Sequence, residues 1–311
     1  MVEQHPTPPG LALTPDAVPF RRPRWRLLAR LIRAAVQQPL GAFFFLVIAL
    51  IAIAALFAEV VATHDPILPA VRYSLAPPGT VARDGSVFLL GTDPLGRDVY
   101  SRLIFGARIS LAVGVAAVTI GTVGGLLLGM FSGYRGGRID SVIQRLMDSV
   151  QAIPVLLLAI MLVAVLGTSI VITAVVIGVT QIPRANRVVR GNVLSVMQEP
   201  YVEAARAMGA SGGRMLLQHI MPNVMASTII VFSTSIGGAI VTEATLSFLG
   251  LAAAPPLATW GGMISLEGRQ YMLHAPWLLI APAAALSVAV LAFNFVGDAV
   301  RDMLDPRLRG R

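Results

Sequence analysis

The chain has 311 residues, 56% of them apolar and 13% charged, and its mean hydropathy is +0.76. A water-soluble domain of this length needs far more polar surface, so the apolar excess points to lipid as the solvent. No cysteine and four scattered histidines (His5, His64, His219, His274) exclude thiolate and disulfide chemistry and give no paired metal-ligand spacing, so no metal and no cofactor is expected. All 24 basic residues are Arg and none is Lys; a Walker A loop, which needs a lysine to reach nucleotide phosphates, is therefore absent.

In chain order, residues 1–20 are rich in Pro and polar residues and read as a disordered tail. Arg21, Arg22, Arg24, Arg26, Arg30 and Arg33 then alternate with Trp25, Leu27, Leu28, Leu31 and Ile32, a basic amphipathic stretch suited to an anionic leaflet. Residues 1–36 are thus expected to form a cytoplasmic tail, and 37–62 a first transmembrane helix around the apolar run 40–62. That run is longer than the ~7–15-residue apolar region of a cleaved signal, and Pro23 interrupts the arginine pair that a twin-arginine signal would need. Residues 63–106 are polar and turn-rich. Further apolar runs at 109–131, 148–167, 169–188, 224–250 and 276–297 bring the expected count to six, each long enough to cross a hydrocarbon core of ~30 Å at ~1.5 Å per residue. The expectation is an all-α polytopic membrane protein with a core over 107–300, a cytoplasmic loop over 189–223 and a tail over 301–311.

The arginines orient it. Of the 24, 18 lie in the two tails, the 132–147 loop and the 184–223 segment, whereas 63–106 and 251–275 hold only Arg72, Arg83, Arg97, Arg102 and Arg269. The positive-inside bias places both tails and the two arginine-rich connections in the cytoplasm and 63–106 outside. The net charge of +8 thereby belongs to membrane topology, and no nucleic-acid partner is expected.

Within the spans, Gly121, Gly125 and Gly129 form a small-residue stripe that invites close approach of another helix. Pro154 and Pro282 predict kinks. The fifth span is the least lipid-like, and Ser235, Thr242 and Glu243 are its candidates for lining a translocation path. An ionisable group at that depth faces a bundle interior or a water-filled route, so Glu243 reads either as a path residue or as a partner for a neighbouring helix.

The cytoplasmic segment 198–223 carries strong local signals. Pro200 suits a first helical position, Glu203 the positive end of the helix, and Ala204, Ala205 and Ala207 combine high propensity with little bulk. Gly209 suits a left-handed terminus, Ser211 a second cap, and Pro222 the entry to the fifth span. The result is a short, rigid, small-surfaced helix shaped like a plug.

Glu203-Ala204-Ala205, then Gly209 and later Pro222, resembles the EAA loop of ABC-importer permeases. His219 and Met221 stand where many members carry Ile and Leu, while His219 to Asn223 follow the His-Ile-x-Pro-Asn of the peptide branch. LLGTDPLGRDVYSRLIFGARISL at 89–111, EATLSFLGL at 243–251, TWGGMI at 259–264 and GDAVRDMLDPRLRG at 297–310 are similar to the C-type permease of dipeptide/oligopeptide importers, in the same order. The resemblance implies the fold of a type I ABC importer transmembrane domain. It further implies a B-type permease, two ATPase subunits and an extracytoplasmic substrate-binding protein as partners, alongside membrane lipid, and a non-catalytic role for this chain. Glu203, Ala204, Ala205, Gly209 and Pro222 would couple it to the ATPase. Relatives in the family also carry haem, nickel complexes or other small solutes.

Gly91, Thr92, Asp93, Gly96, Arg97, Asp98 and Arg102 read in two ways, as a structural lid or as a surface for gating and binding-protein contact. Asp98 and Arg102 are spaced to pair on a helix. A different class, an ion-coupled secondary transporter using Glu243, stays open and predicts transport without an ATPase. An intramembrane hydrolase has no GxSxG, HExxH or paired aspartates to support it.

Overall fold

The computed structural model describes residues 38–253 and 256–304; the basic stretch 21–33, the tail 1–36 and residues 305–311 lie outside the described residues. Helix α1 (Pro39–Leu56) starts on a proline, whose missing N–H costs nothing at a helix start, and ends at Phe57, before a further turn at Ala58–Val61. Its side chains are mostly exposed, with Phe43, Phe45, Leu46 and Leu50 all more than half accessible, as a lipid-facing helix requires. Phe44 stacks on Phe295 at 4.6 Å and so fastens α1 to the last helix.

Helix α2 (Val99–Arg135) is 37 residues long, begins eight residues before the core expected from 107, and therefore extends beyond the bilayer at one end or both. Its glycine stripe lies against helix α5 (Ile170–Val196). A Cβ at Gly121 would stand 2.8 Å from Gln181 Cβ, one at Gly129 would stand 2.8 Å from the Asn186 carbonyl oxygen, and one at Gly125 would collide with Ala185. Gly178 returns the favour, its face filled by Ile120 and Ala117. Backbone contact of this kind replaces the hydrophobic drive that lipid does not supply between helices. Gly125→Val is expected to lower stability by about 1–3 kcal/mol through overpacking, read as a fall in the thermal transition of the detergent-purified protein.

The third expected span is not one helix. Helix α3 (Gly137–Gln151) and helix α4 (Val155–Leu166) meet at an angle of 89°. Pro154 has no N–H and disfavours helical geometry at Ile153, so the chain stops and restarts there. At ~1.5 Å per residue, α4 alone is about 18 Å long, short of a bilayer core. α3 buries no residue; two ion pairs, Asp140 with Arg190 (2.6 Å) and Asp148 with Arg187 (2.9 Å), pin it to α5.

Helix α6 (Pro200–Ala207) follows α5, and a short turn (Gly212–Arg214) and a wide turn (Met215–Ile220) lead into helix α7 (Met221–Phe248). Helix α8 (Trp277–Leu304) contains Pro282 and closes the described chain. Among the described residues, α1, α2, Gly212–Phe248 and α8 are long and apolar enough to cross a membrane, and the α3–α4 pair makes a fifth if taken as one bent span. α5 has the length but carries Arg184, Arg187 and Arg190 in its second half, so length and apolarity alone do not yield six.

The central core joins α2, α4, α5 and α7 through Val113, Val118, Val163, Ile177, Ile236 and Ile240. The segment before α2 is not merely a loop. It holds a turn at Val71–Tyr73 and an antiparallel hairpin, β1 (Thr80–Val81) with β2 (Val87–Phe88), and His64 stacks on Phe88 at 4.5 Å.

Candidate functional site

Three places hold the residues singled out above. The first is a cleft of about 450 Å³ between the α3–α4 break, α5 and α7. Ser235 and Thr242 line it from α7, together with Thr234, and Thr180, Gln181 and Arg184 line it from α5. Thr234 and Thr242 hydrogen-bond back to their own helix at Ile230 and Gly238 (2.8 and 2.9 Å), which satisfies their protons and leaves oxygen lone pairs toward the cleft.

Glu243 does not line this cleft. It is fully buried, and Ser247 Oγ donates to its Oε1 at 2.7 Å. Its neighbours are tightly packed: Gly261 packs directly on Ala244, and the Trp260 backbone N–H reaches Ser110 Oγ of α2 at 3.4 Å. Glu243 thus sits among packed side chains rather than on the wall of this cleft. Glu243→Gln keeps the acceptor for Ser247 and is expected to leave transport within about twofold of wild type, measured as initial uptake by the reconstituted transporter.

The second place is the knot at the start of α2. Asp98 is the N-cap: its carboxylate accepts from Ser101 N (2.9 Å), Ser101 Oγ (2.6 Å) and Thr63 Oγ1 (2.8 Å). The expected Asp98–Arg102 pair gives way to this cap, and Arg102 turns instead to Asp93 (3.6 Å) and the Pro66 carbonyl (3.3 Å). Asp93 also accepts from Arg97 Nε (2.6 Å), Arg97 N (2.9 Å) and Leu95 N (2.8 Å). Thr92 bonds Ala76 N (2.8 Å) and the Tyr73 carbonyl, and Trp277 Nε1 donates to the Thr92 carbonyl at 3.3 Å. Gly91 has φ +76° with the Ala76 carbonyl 2.6 Å from where a Cβ would be, and Gly96 sits against Ala70. Thr92, Asp93, Arg97, Asp98 and Arg102 are all at most 6% exposed. They bind α2, the 63–98 segment and α8 to one another.

The third place is α6. Glu199 precedes it in an extended conformation, Pro200 opens it, and Glu203 lies in its first turn. Gly209 has φ +80°, and Ala210 N bonds back to the Ala205 carbonyl at 3.1 Å, closing the helix in the left-handed form. Ser211 stands at the next cap position without a side-chain cap bond, and Pro222 opens α7. The two faces of α6 differ. Val202 and Ala205 are buried on Met215, Tyr134 and Val196, which belong to the approach to α7, the end of α2 and the end of α5. Tyr201, Ala204 and Met208 face outward with Glu203, Met208 being 83% exposed. Asn223 Nδ2 of α7 donates to Tyr201 Oη at 2.9 Å, a direct tie from α6 to the cleft-lining helix.

The sequence reading missed Thr180, Gln181 and Arg184 as cleft residues. A signal was present: they interrupt an apolar span, with Thr180 and Gln181 four and three residues before Arg184, the spacing of one helix face.

The family model described as "Binding-protein-dependent transport system inner membrane component" matches residues 125–310. The glutathione transport system permease protein of Pectobacterium atrosepticum is 43% identical over 224 residues, covering 72% of this chain and 74% of that protein. The di/tripeptide transport system permease protein of Pseudomonas aeruginosa is 40% identical over 270 residues, covering 87% and 88%. An inward-facing structure of a methionine ABC transporter shares the fold at TM-score 0.52 and 17% identity, covering 66% of this chain and 96% of that one. The chain belongs to the family of inner membrane components of binding-protein-dependent transport systems. It is a permease, a membrane-spanning and non-catalytic subunit of an ABC importer, a class of machine that also contains an ATPase and a partner permease.

Proposed function

We propose that this chain is the C-type permease subunit of an importer for di- and tripeptides, forming half of the translocation path and receiving the stroke of a separate ATPase through α6. The observation that carries the coupling role is the two-faced burial of that helix. Its inner face is fixed to the cytoplasmic ends of three long elements, α2, α5 and the approach to α7. Its outer face exposes Tyr201, Ala204, Ala207 and Met208 together with the charged Glu203 and Arg206. A push on the outer face therefore moves α5 and α7 together, and these are the helices that line the cleft. A bistable packed interface converts such a push into a switch between inward- and outward-facing arrangements.

The peptide substrate rests on the relatives, whose names specify di/tripeptides and glutathione, itself a tripeptide. The partners are then a B-type permease, two ATPase subunits and an extracytoplasmic binding protein, and both termini are cytoplasmic with 63–98 outside. The buried knot of Asp93, Arg97 and Asp98 acts in gating by holding the outer end of α2 to α8, while the exposed surface of the 63–88 lobe meets the binding protein. The test is uptake of a labelled dipeptide and tripeptide into proteoliposomes containing the full set of partners. Uptake that requires ATP and fails with Glu203→Arg supports the assignment. Uptake by this chain without any ATPase would instead favour an ion-coupled transporter.

A further inference from the structure

The second half of α5 carries three arginines, and the structure treats them differently. Arg187 and Arg190 are neutralised by Asp148 and Asp140 of α3. Arg184 is exposed, makes no ion pair or hydrogen bond among the described residues, and lines the cleft. None of the described residues lining that cleft carries a negative charge, while Gln151, Thr180, Gln181, Ser235 and Thr242 surround it with amide and hydroxyl groups. Arg184 stands 14 residues from the start of α5, about 21 Å along its axis. A guanidinium facing such a polar cleft meets water or an anion rather than hydrocarbon. Its planar donor fork matches a carboxylate in two parallel hydrogen bonds.

We propose that Arg184 is a substrate-contact residue of the cleft, binding the C-terminal carboxylate of a peptide in transit. The assignment rests on the peptide-importer reading above and deepens it. The neutral groups around Arg184 receive the peptide amides, and the absence of an acid among the described lining residues leaves the positive charge uncompensated until a carboxylate arrives. The cleft is open and the arginine solvated, so the contact is weak enough to release its load, as a conducting site must be.

The experiment uses the complete transporter reconstituted with its partners, trialanine as the transported probe, and either trialanine or trialanine amide enclosed in the vesicle lumen as competitor. Arg184→Gln is expected to lower the maximal rate of trialanine uptake about tenfold, the scale of one charge-assisted hydrogen bond, while Arg184→Lys, which keeps the charge but not the planar fork, falls between the Gln variant and wild type. Lumenal trialanine should slow wild-type uptake more than lumenal trialanine amide does, and Arg184→Gln should erase that difference. Wild-type rates from the Gln variant, or equal action of the two lumenal peptides on wild type, would overturn the assignment. Loss of the partner permease from the purified Gln variant would overturn it too, because the carboxylate facing Arg184 would then belong to that subunit. If the wild-type transporter shows no ATP-dependent trialanine uptake at all, the peptide reading falls first and the carboxylate falls with it.

Discussion

Replacing Gly209 by Val is expected to reduce ATP-driven uptake by at least about tenfold while the ATPase still co-purifies. A Cβ at this position meets nothing within 4 Å, so no clash is involved; the effect comes from the backbone alone. With φ at +80°, a β-branched residue is strained by about 1–3 kcal/mol, and the chain relieves the strain by leaving the left-handed region. That opens the bond from Ala210 N to the Ala205 carbonyl and redirects residues 210–215, on which Val202 and Ala205 rest through Met215. Coupling energies of about 1–3 kcal/mol correspond to roughly 5- to 150-fold changes, so the strain is large enough to disconnect the stroke. Gly209→Asn is the control, since Asn tolerates the left-handed region, and it should keep most of the uptake. A Val variant that transports like wild type would remove α6 from the coupling route.

The second large effect is expected at Asp93. Its carboxylate gathers Arg97, Arg102 and two backbone N–H groups in a site where the aspartate is only 1% exposed. Asp93→Ala leaves buried positive charge without this counter-ion and is expected to cost about 3–5 kcal/mol. The readout is the thermal transition of the detergent-purified protein, accompanied by protease sensitivity of the 63–98 segment. By contrast, substitutions at exposed Asp84 in the turn between β1 and β2 should be nearly silent, because its bonds are local, to Ser86 two residues away. A fully stable Asp93→Ala protein would show that the knot is a surface feature and not a fastening.

Features set by short stretches of chain were legible early. α6 could be read because Pro200, Glu203, the alanines and Gly209 act within ten residues, through propensity, dipole and backbone conformation. The glycine stripe of α2 was legible as a packing face for a similar reason, although its partner, α5, was not named by any local pattern. Pro154 announced a disturbance, but neither its size of 89° nor the two ion pairs that hold α3 against α5 could be read locally, since those pairs join residues about 40 and 50 positions apart. The hairpin of the 63–98 segment escaped notice because each strand has only two residues, too few to show an alternating pattern.

Composition and hydropathy by themselves determined that this protein lives in a membrane and that these 311 residues hold no Walker A loop. They did so because solvent preference is a property of each residue type summed over a span. The tertiary structure alone decided which residues face the cleft. At about 100° per residue, Ser235 and Thr242 share one side of α7 and Glu243 lies a quarter-turn away. The helix period separates these faces, but only the neighbours packed on α7 determine which of them looks into the cleft. The same packing turned Asp98 from a partner for Arg102 into a helix cap, and left Arg184 as the arginine of α5 that faces the cleft without a carboxylate.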